Sequence, residues 1–71
     1  MPLRPVRARE VVRKLELAGF PRVLQRGGHA RFSHAEGQGV TVPMRPGDIP
    51  VPVLRSILRQ AGLSEEEWQE L

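Results

Sequence analysis

Apolar side chains recur at helical spacing in two places along this chain. In segment 7–18, RAREVVRKLELA, Ala8, Val11, Val12, Leu15 and Ala18 fall on one stripe, while Arg9, Arg13, Lys14 and Glu16 lie off it. No strong N-capping residue precedes this helix; Gly19 follows it, a residue able to take the left-handed conformation that ends helices. In segment 52–61, Leu54, Ile57, Leu58 and Ala61 stand at i, i+3, i+4 and i+7, the cleanest periodicity in the sequence. Pro52 suits the first turn of that helix, where its missing N–H costs nothing, and Gly62 ends it. Between the helices, segments 20–26, 29–34 and 40–42 are short and separated by Gly27-Gly28 and by AEGQG. They predict three strands in an antiparallel meander, with Pro21 placing the first at an edge.

Residues 1–5, with two prolines, predict an irregular arm, and MRPGDIP (44–50) predicts a loop. Beyond Gly62, Ser64 and Glu67 have the S-x-x-E spacing of a capping box. Leu63 and Trp68 flank it at the spacing of a hydrophobic staple, which assigns Trp68 to packing rather than to stacking on a base. The order α-β-β-β-α with a short C-terminal helix predicts an α+β fold, one domain over 1–71. Two singly striped helices would cover one face of a three-stranded antiparallel sheet, leaving the other face for function.

Size and composition narrow that function. A domain of 71 residues buries only about 60% of its unfolded surface, so a deep substrate cavity is not expected and the ligand should be a polymer or a protein. The absence of cysteine excludes disulfides and thiolate metal sites. No apolar run approaches the roughly 18 residues of a membrane span, and no apolar segment follows the basic N-terminus as in a secretory signal, so a cytoplasmic protein is expected. Residues 1–59 carry all 11 Lys and Arg against Glu10, Glu16, Glu36 and Asp48, a surplus of seven, while residues 60–71 carry four glutamates and no base. A basic body of this kind fits a polyanionic partner. If Arg22, Arg26, Arg31, Arg45, Arg55 and Arg59 converge they form a phosphate groove; otherwise they are a solvated face.

The groups able to do chemistry are few: His29, His34, the hydroxyls of Ser33, Thr41, Ser56 and Ser64, and no tyrosine. Strand alternation puts His29, Arg31 and Ser33 on one face and Ala30, Phe32 and His34 on the other. Phe32 is the only large apolar residue of its strand, so it should face the core, leaving His29 and Arg31 on the open face. An imidazole that exchanges protons near neutral pH beside a phosphate-binding guanidinium supplies the needs of RNA cleavage. Spacing alone leaves open whether His29 acts or is an exposed strand histidine without a role. The two histidines, five apart, fall on opposite faces and do not share a metal. No serine sits at a G-x-S-x-G elbow for a Ser-His-Asp triad. Gly27-Gly28 is too short for a phosphate loop, but turns the chain and lets a backbone approach closely.

Four stretches together resemble a known family: Leu15-x-x-Ala18-Gly19-Phe20, then Arg26-Gly27-Gly28-His29-x-x-Phe32, then Val40-Thr41-Val42-Pro43, and finally Ile49-Pro50 through Leu54-Arg55-Ser56-Ile57-Leu58-Arg59-Gln60-Ala61-Gly62-Leu63. In that order and spacing they resemble HicA, the toxin half of HicAB toxin–antitoxin systems, from about residue 6 to about residue 68. The resemblance implies a double-stranded-RNA-binding-domain-like fold and metal-independent mRNA cleavage without a cofactor, with the motif histidine falling on His29. It also implies a HicB-type antitoxin that covers the active site. The chain departs from the family at Gly28, where serine is usual, and at Met44-Arg45, where a further histidine or lysine often stands. The expected function is therefore an endoribonuclease toxin, with His29 as acid or base and Arg31, Arg26, Arg45, Gly27 and Gly28 meeting the RNA phosphates. The alternatives are a non-catalytic RNA-binding module of the same fold, or a degenerate toxin that only binds an antitoxin. The acidic tail segment has no role in any of these readings.

Overall fold

A computed structural model describes residues 2–71. Its elements run β1 (Val6–Arg7), α1 (Ala8–Leu17), β2 (Arg22–Arg26), β3 (His29–Ser33), β4 (Gly39–Pro43), β5 (Asp48–Ile49), α2 (Val51–Ala61) and α3 (Glu65–Gln69). Strands β2, β3 and β4 form an antiparallel sheet in chain order, giving the expected α+β arrangement of two main helices on a three-stranded meander.

The helix stripes become the core. Val11 and Leu15 of α1 and Leu54 and Ile57 of α2 are all but fully buried, and they meet Ala30, Phe32, Val40 and Val42 from one face of the sheet. Both helices pack over β4. Strand β2 is not covered: each of its five residues is exposed, including the apolar Val23 and Leu24. Positive φ at two glycines closes the helices. Gly19 (φ 94°) lets Phe20 N–H reach Leu15 O, and Gly62 (φ 70°) lets Leu63 N–H reach Leu58 O.

Three features differ from the sequence expectation. Residues 48–49, read as loop, pair antiparallel with Val6 and Arg7 in a second, two-stranded sheet. Arg7, read as helical, is the extended N-cap of α1, so the helix has no side-chain cap and is started by the strand feeding directly into it. Arg7 also lies 3.6 Å from Asp48, an exposed pair that contributes little. Residues 2–5 are irregular as expected, yet not loose, because Leu3 joins the core cluster; residue 1 lies outside the described residues. Lys14, read as solvent-facing, is half-buried, with Nζ 4.4 Å from the Trp68 ring centroid and donating to Trp68 O at 3.0 Å.

That contact ties α1 to α3, whose start is built as read. Ser64 Oγ accepts from Glu67 N–H at 3.0 Å, and Ser64 N–H donates to Glu67 Oε1 at 2.8 Å. Trp68 is buried and Leu63 packs against the core. The acidic segment thus has a structural use: three of its four glutamates, Glu65, Glu66 and Glu67, occupy the first turn of α3, where negative charge complements the helix dipole. Hydrogen bonds from Ser64, first its backbone N–H and then its hydroxyl, hold the Glu67 carboxyl below the ordinary glutamate value. A lowered folded value means that the box is fully formed above about pH 4.3 and is lost as pH falls through that lowered value. We expect Ser64→Ala to raise the Glu67 midpoint in a carboxyl NMR titration, and to cost about 1 kcal/mol through the lost cap. Because alanine keeps the backbone N–H, an unmoved midpoint would show that the Ser64 hydroxyl has no part in holding the carboxylate.

Candidate nucleic-acid interface

The strand register fixes what the open face of the sheet presents. Strand β3 pairs with β4 through His29↔Pro43, Ala30↔Val42, Arg31↔Thr41, Phe32↔Val40 and Ser33↔Gly39. On its other side it pairs with β2 through Arg26↔His29, Gln25↔Ala30, Leu24↔Arg31 and Arg22↔Phe32, with an irregularity between Arg22 and Leu24 that absorbs Val23. Because cross-strand partners share a face, Leu24, Arg26, His29, Arg31, Ser33, Gly39, Thr41 and Pro43 lie together, away from the helices. Exposure follows the alternation: His29 and Arg31 are exposed, while Ala30 and Phe32 between and beside them are 1% and 0% exposed.

His29 and Arg26 are direct partners at the end of the hairpin, on either side of Gly27-Gly28. Gly27 has φ 58°, and a Cβ at either glycine would meet nothing within 4 Å, so the backbone of this turn is open to approach. Leu24, Arg26, His29, Ala30, Arg31 and Thr41 line a shallow depression of about 180 Å³. None of these residues is acidic, so nothing in the lining repels an anion.

Arg31 does not point at His29. Its Nη1 donates to Thr41 Oγ1 at 3.0 Å, and its guanidinium lies over Gly39 at the far end of β4. Thr41 is itself held: its N–H donates to Gln60 Oε1 of α2 at 3.1 Å, and Gln60 Nε2 reaches Ser56 Oγ at 3.4 Å. Sequence reasoning counted Thr41 only as a hydroxyl and passed over Gly39. Both follow from the β3–β4 register, which the turn between Ser33 and Gly39 sets and the sequence alone leaves open.

The other basic residues do not join Arg26 and Arg31. Arg45 borders a separate depression of about 290 Å³ with Pro43, Gly47, Asp48, Ile49 and Pro50; of these, Pro43 is the cross-strand partner of His29. Arg22 lies on the helical side, bonded to Gln25 Oε1, with its guanidinium carbon 5.7 Å from the Phe32 ring centroid. Arg55 of α2 lies 3.6 Å from Glu65 of α3, and Arg59, also of α2, is exposed. The six arginines therefore form no single groove.

His34 sits at the rim of the helical face, its ring 5.0 Å from that of Phe20, with Nδ1 accepting from Glu36 N–H at 3.0 Å. It is separated from His29 by the sheet. Among the described residues no three His, Cys, Asp or Glu side chains gather as metal ligands, and no helix is long and apolar enough to cross a membrane.

Compared with known families, residues 8–63 match the model of the HicA toxin of bacterial toxin–antitoxin systems. That stretch runs from the first residue of α1 to the residue after Gly62, and so takes in the whole three-stranded sheet. No curated protein matches the chain.

Proposed function

The chain belongs to the HicA toxin family of bacterial toxin–antitoxin systems, and from that premise we propose that it is a metal-independent endoribonuclease acting on mRNA from the open face of its sheet. The observation that carries this reading is the placement of His29: exposed, cross-strand from Arg26, beside an accessible glycine turn, on a strand whose alternate residues anchor the core.

The chemistry follows from that placement. The His29 imidazole removes the proton of a ribose 2′-OH. The 2′ oxygen then attacks the adjacent phosphorus and the 5′ oxygen leaves, taking a proton from water, to give a 2′,3′-cyclic phosphate and a 5′-hydroxyl end. Arg26 bears the charge that develops on the phosphate, and the Gly27-Gly28 turn, where a Cβ would meet nothing within 4 Å, lets the same oxygens approach the backbone closely. Arg31 and Arg45 hold flanking phosphates. The substrate is unpaired RNA, because the 2′-OH must swing in line with the leaving oxygen, which a rigid duplex resists. The partner is a HicB-type antitoxin seated over the same face, and the compartment is the cytoplasm, where the mRNA is.

The test is incubation of the purified protein with end-labelled single-stranded RNA in EDTA, beside His29→Ala. Cleavage by the parent alone supports the reading. Binding without turnover would make the protein an RNA-binding module. Failure to bind RNA, with tight binding to a HicB-type protein, would make it a toxin that has kept only its antitoxin contact.

A further inference from the structure

Resting on the ribonuclease reading, we infer that Arg31 forms a second, pre-oriented phosphate subsite on the open face, positioned by Gly39 and Thr41 and separate from the scissile phosphate at His29. Three observations carry it. The Arg31 guanidinium is fixed by Thr41 Oγ1 at 3.0 Å, and Thr41 is fixed in turn by Gln60 from α2. The guanidinium occupies the space that a side chain at position 39 would fill: a Cβ there would stand 2.5 Å from Nη2 and 3.1 Å from Cζ. The cradle also lies two same-face rungs from His29, since Gly39 pairs with Ser33 and Pro43 pairs with His29. Thr41 and Gly39 stand two and four residues along β4 from Pro43, so at about 3.3 Å per residue the guanidinium between them lies roughly 7–13 Å along the strand from His29, the reach of a neighbouring phosphate rather than of the scissile one.

One Arg31 N–H is used by Thr41; the side chain is exposed and its other N–H groups have no hydrogen-bond partner among the described residues, so they can take two oxygens of a phosphodiester. Its ligand is a phosphate of the same single RNA strand, upstream or downstream of the cut. A subsite that binds substrate and transition state alike changes KM and not kcat. Arg31 therefore sets how tightly and in what frame the strand lies over His29. Gly39 and Thr41 are positioning residues that act through it.

Gly39→Ala tests this with little risk to the fold. Gly39 does not have a positive φ, and the three atoms nearest its new methyl all belong to the end of one flexible side chain, Arg31. In a His29→Ala background, affinity for a fluorescent single-stranded RNA is read by anisotropy across a salt series. Gly39→Ala should weaken binding by roughly five- to tenfold and flatten the log–log salt slope by about 0.7, the value of one single-strand phosphate. With His29 present, KM should rise while kcat stays within about twofold. Thr41→Val should weaken binding and Thr41→Ser should restore it. In an Arg31→Ala background, Gly39→Ala should add nothing, because both changes remove one contact. Unchanged affinity and slope, or full additivity with Arg31→Ala, would overturn the subsite while leaving the ribonuclease reading standing. A parent that binds no RNA would overturn both.

Discussion

Replacing His29 with alanine is expected to slow cleavage of single-stranded RNA in EDTA by about 10²- to 10⁴-fold, the usual worth of one acid–base group. At about 1.36 kcal/mol per tenfold this is roughly 3–5 kcal/mol of barrier. No second proton-transfer group lines the depression around His29, so no neighbouring side chain stands ready to take over. The fold should be unaffected, because His29 is exposed and surface changes of this kind stay within about 0.5 kcal/mol. RNA affinity should also persist, since it rests on arginines that the substitution leaves in place. Single-turnover cleavage and anisotropy on the same preparations separate the two quantities. Equal cleavage by both proteins would point to a contaminating nuclease and remove His29 from the mechanism.

A loss of similar size in a different quantity is expected for Phe32→Ala. Phe32 is fully buried at the centre of the sheet's inner face, and emptying such a site costs about 3–5 kcal/mol. A chain of 71 residues has only about 4–10 kcal/mol of stability in total. At about 4–8 °C per kcal/mol for a domain of this size, the midpoint should fall by roughly 12–40 °C in a circular-dichroism melt. Activity lost on warming should return on cooling, because the His29 face is built by the same strand. A midpoint within about 5 °C of the parent would mean that the core collapses around the gap.

Much of this arrangement is legible in the sequence, for reasons particular residues show. The stripe Leu54, Ile57, Leu58, Ala61 and the alternation of His29 and Arg31 with Ala30 and Phe32 are periodic signals, and each became a buried set. The Ser64–Glu67 box is local chemistry within four residues, and it formed as read. The family match over residues 8–63 likewise agrees with the motifs that suggested it. What stayed hidden depends on contacts between distant segments. A strand of two residues has no period, so Val6–Arg7 and Asp48–Ile49 looked like a helix start and a loop. Lys14 reads as solvent-facing until α3 brings Trp68 beneath it. The grouping of arginines depends on register and on pairing with acids, which is why Arg55 is drawn to Glu65 rather than toward Arg31.

The bare strand β2 has a consequence for how such a protein can diverge. Its five side chains contribute almost nothing to the buried interior, yet Leu24 and Arg26 form one wall of the face that carries His29. Substitutions there are released from the packing constraint that holds Ala30, Phe32, Val40 and Val42 in place. A lineage can therefore rewrite Leu24 and the other β2 positions apart from Arg26, and with them what the open face recognises, without passing through unstable intermediates. Drift in recognition and conservation of the scaffold are thereby assigned to neighbouring strands of one small sheet.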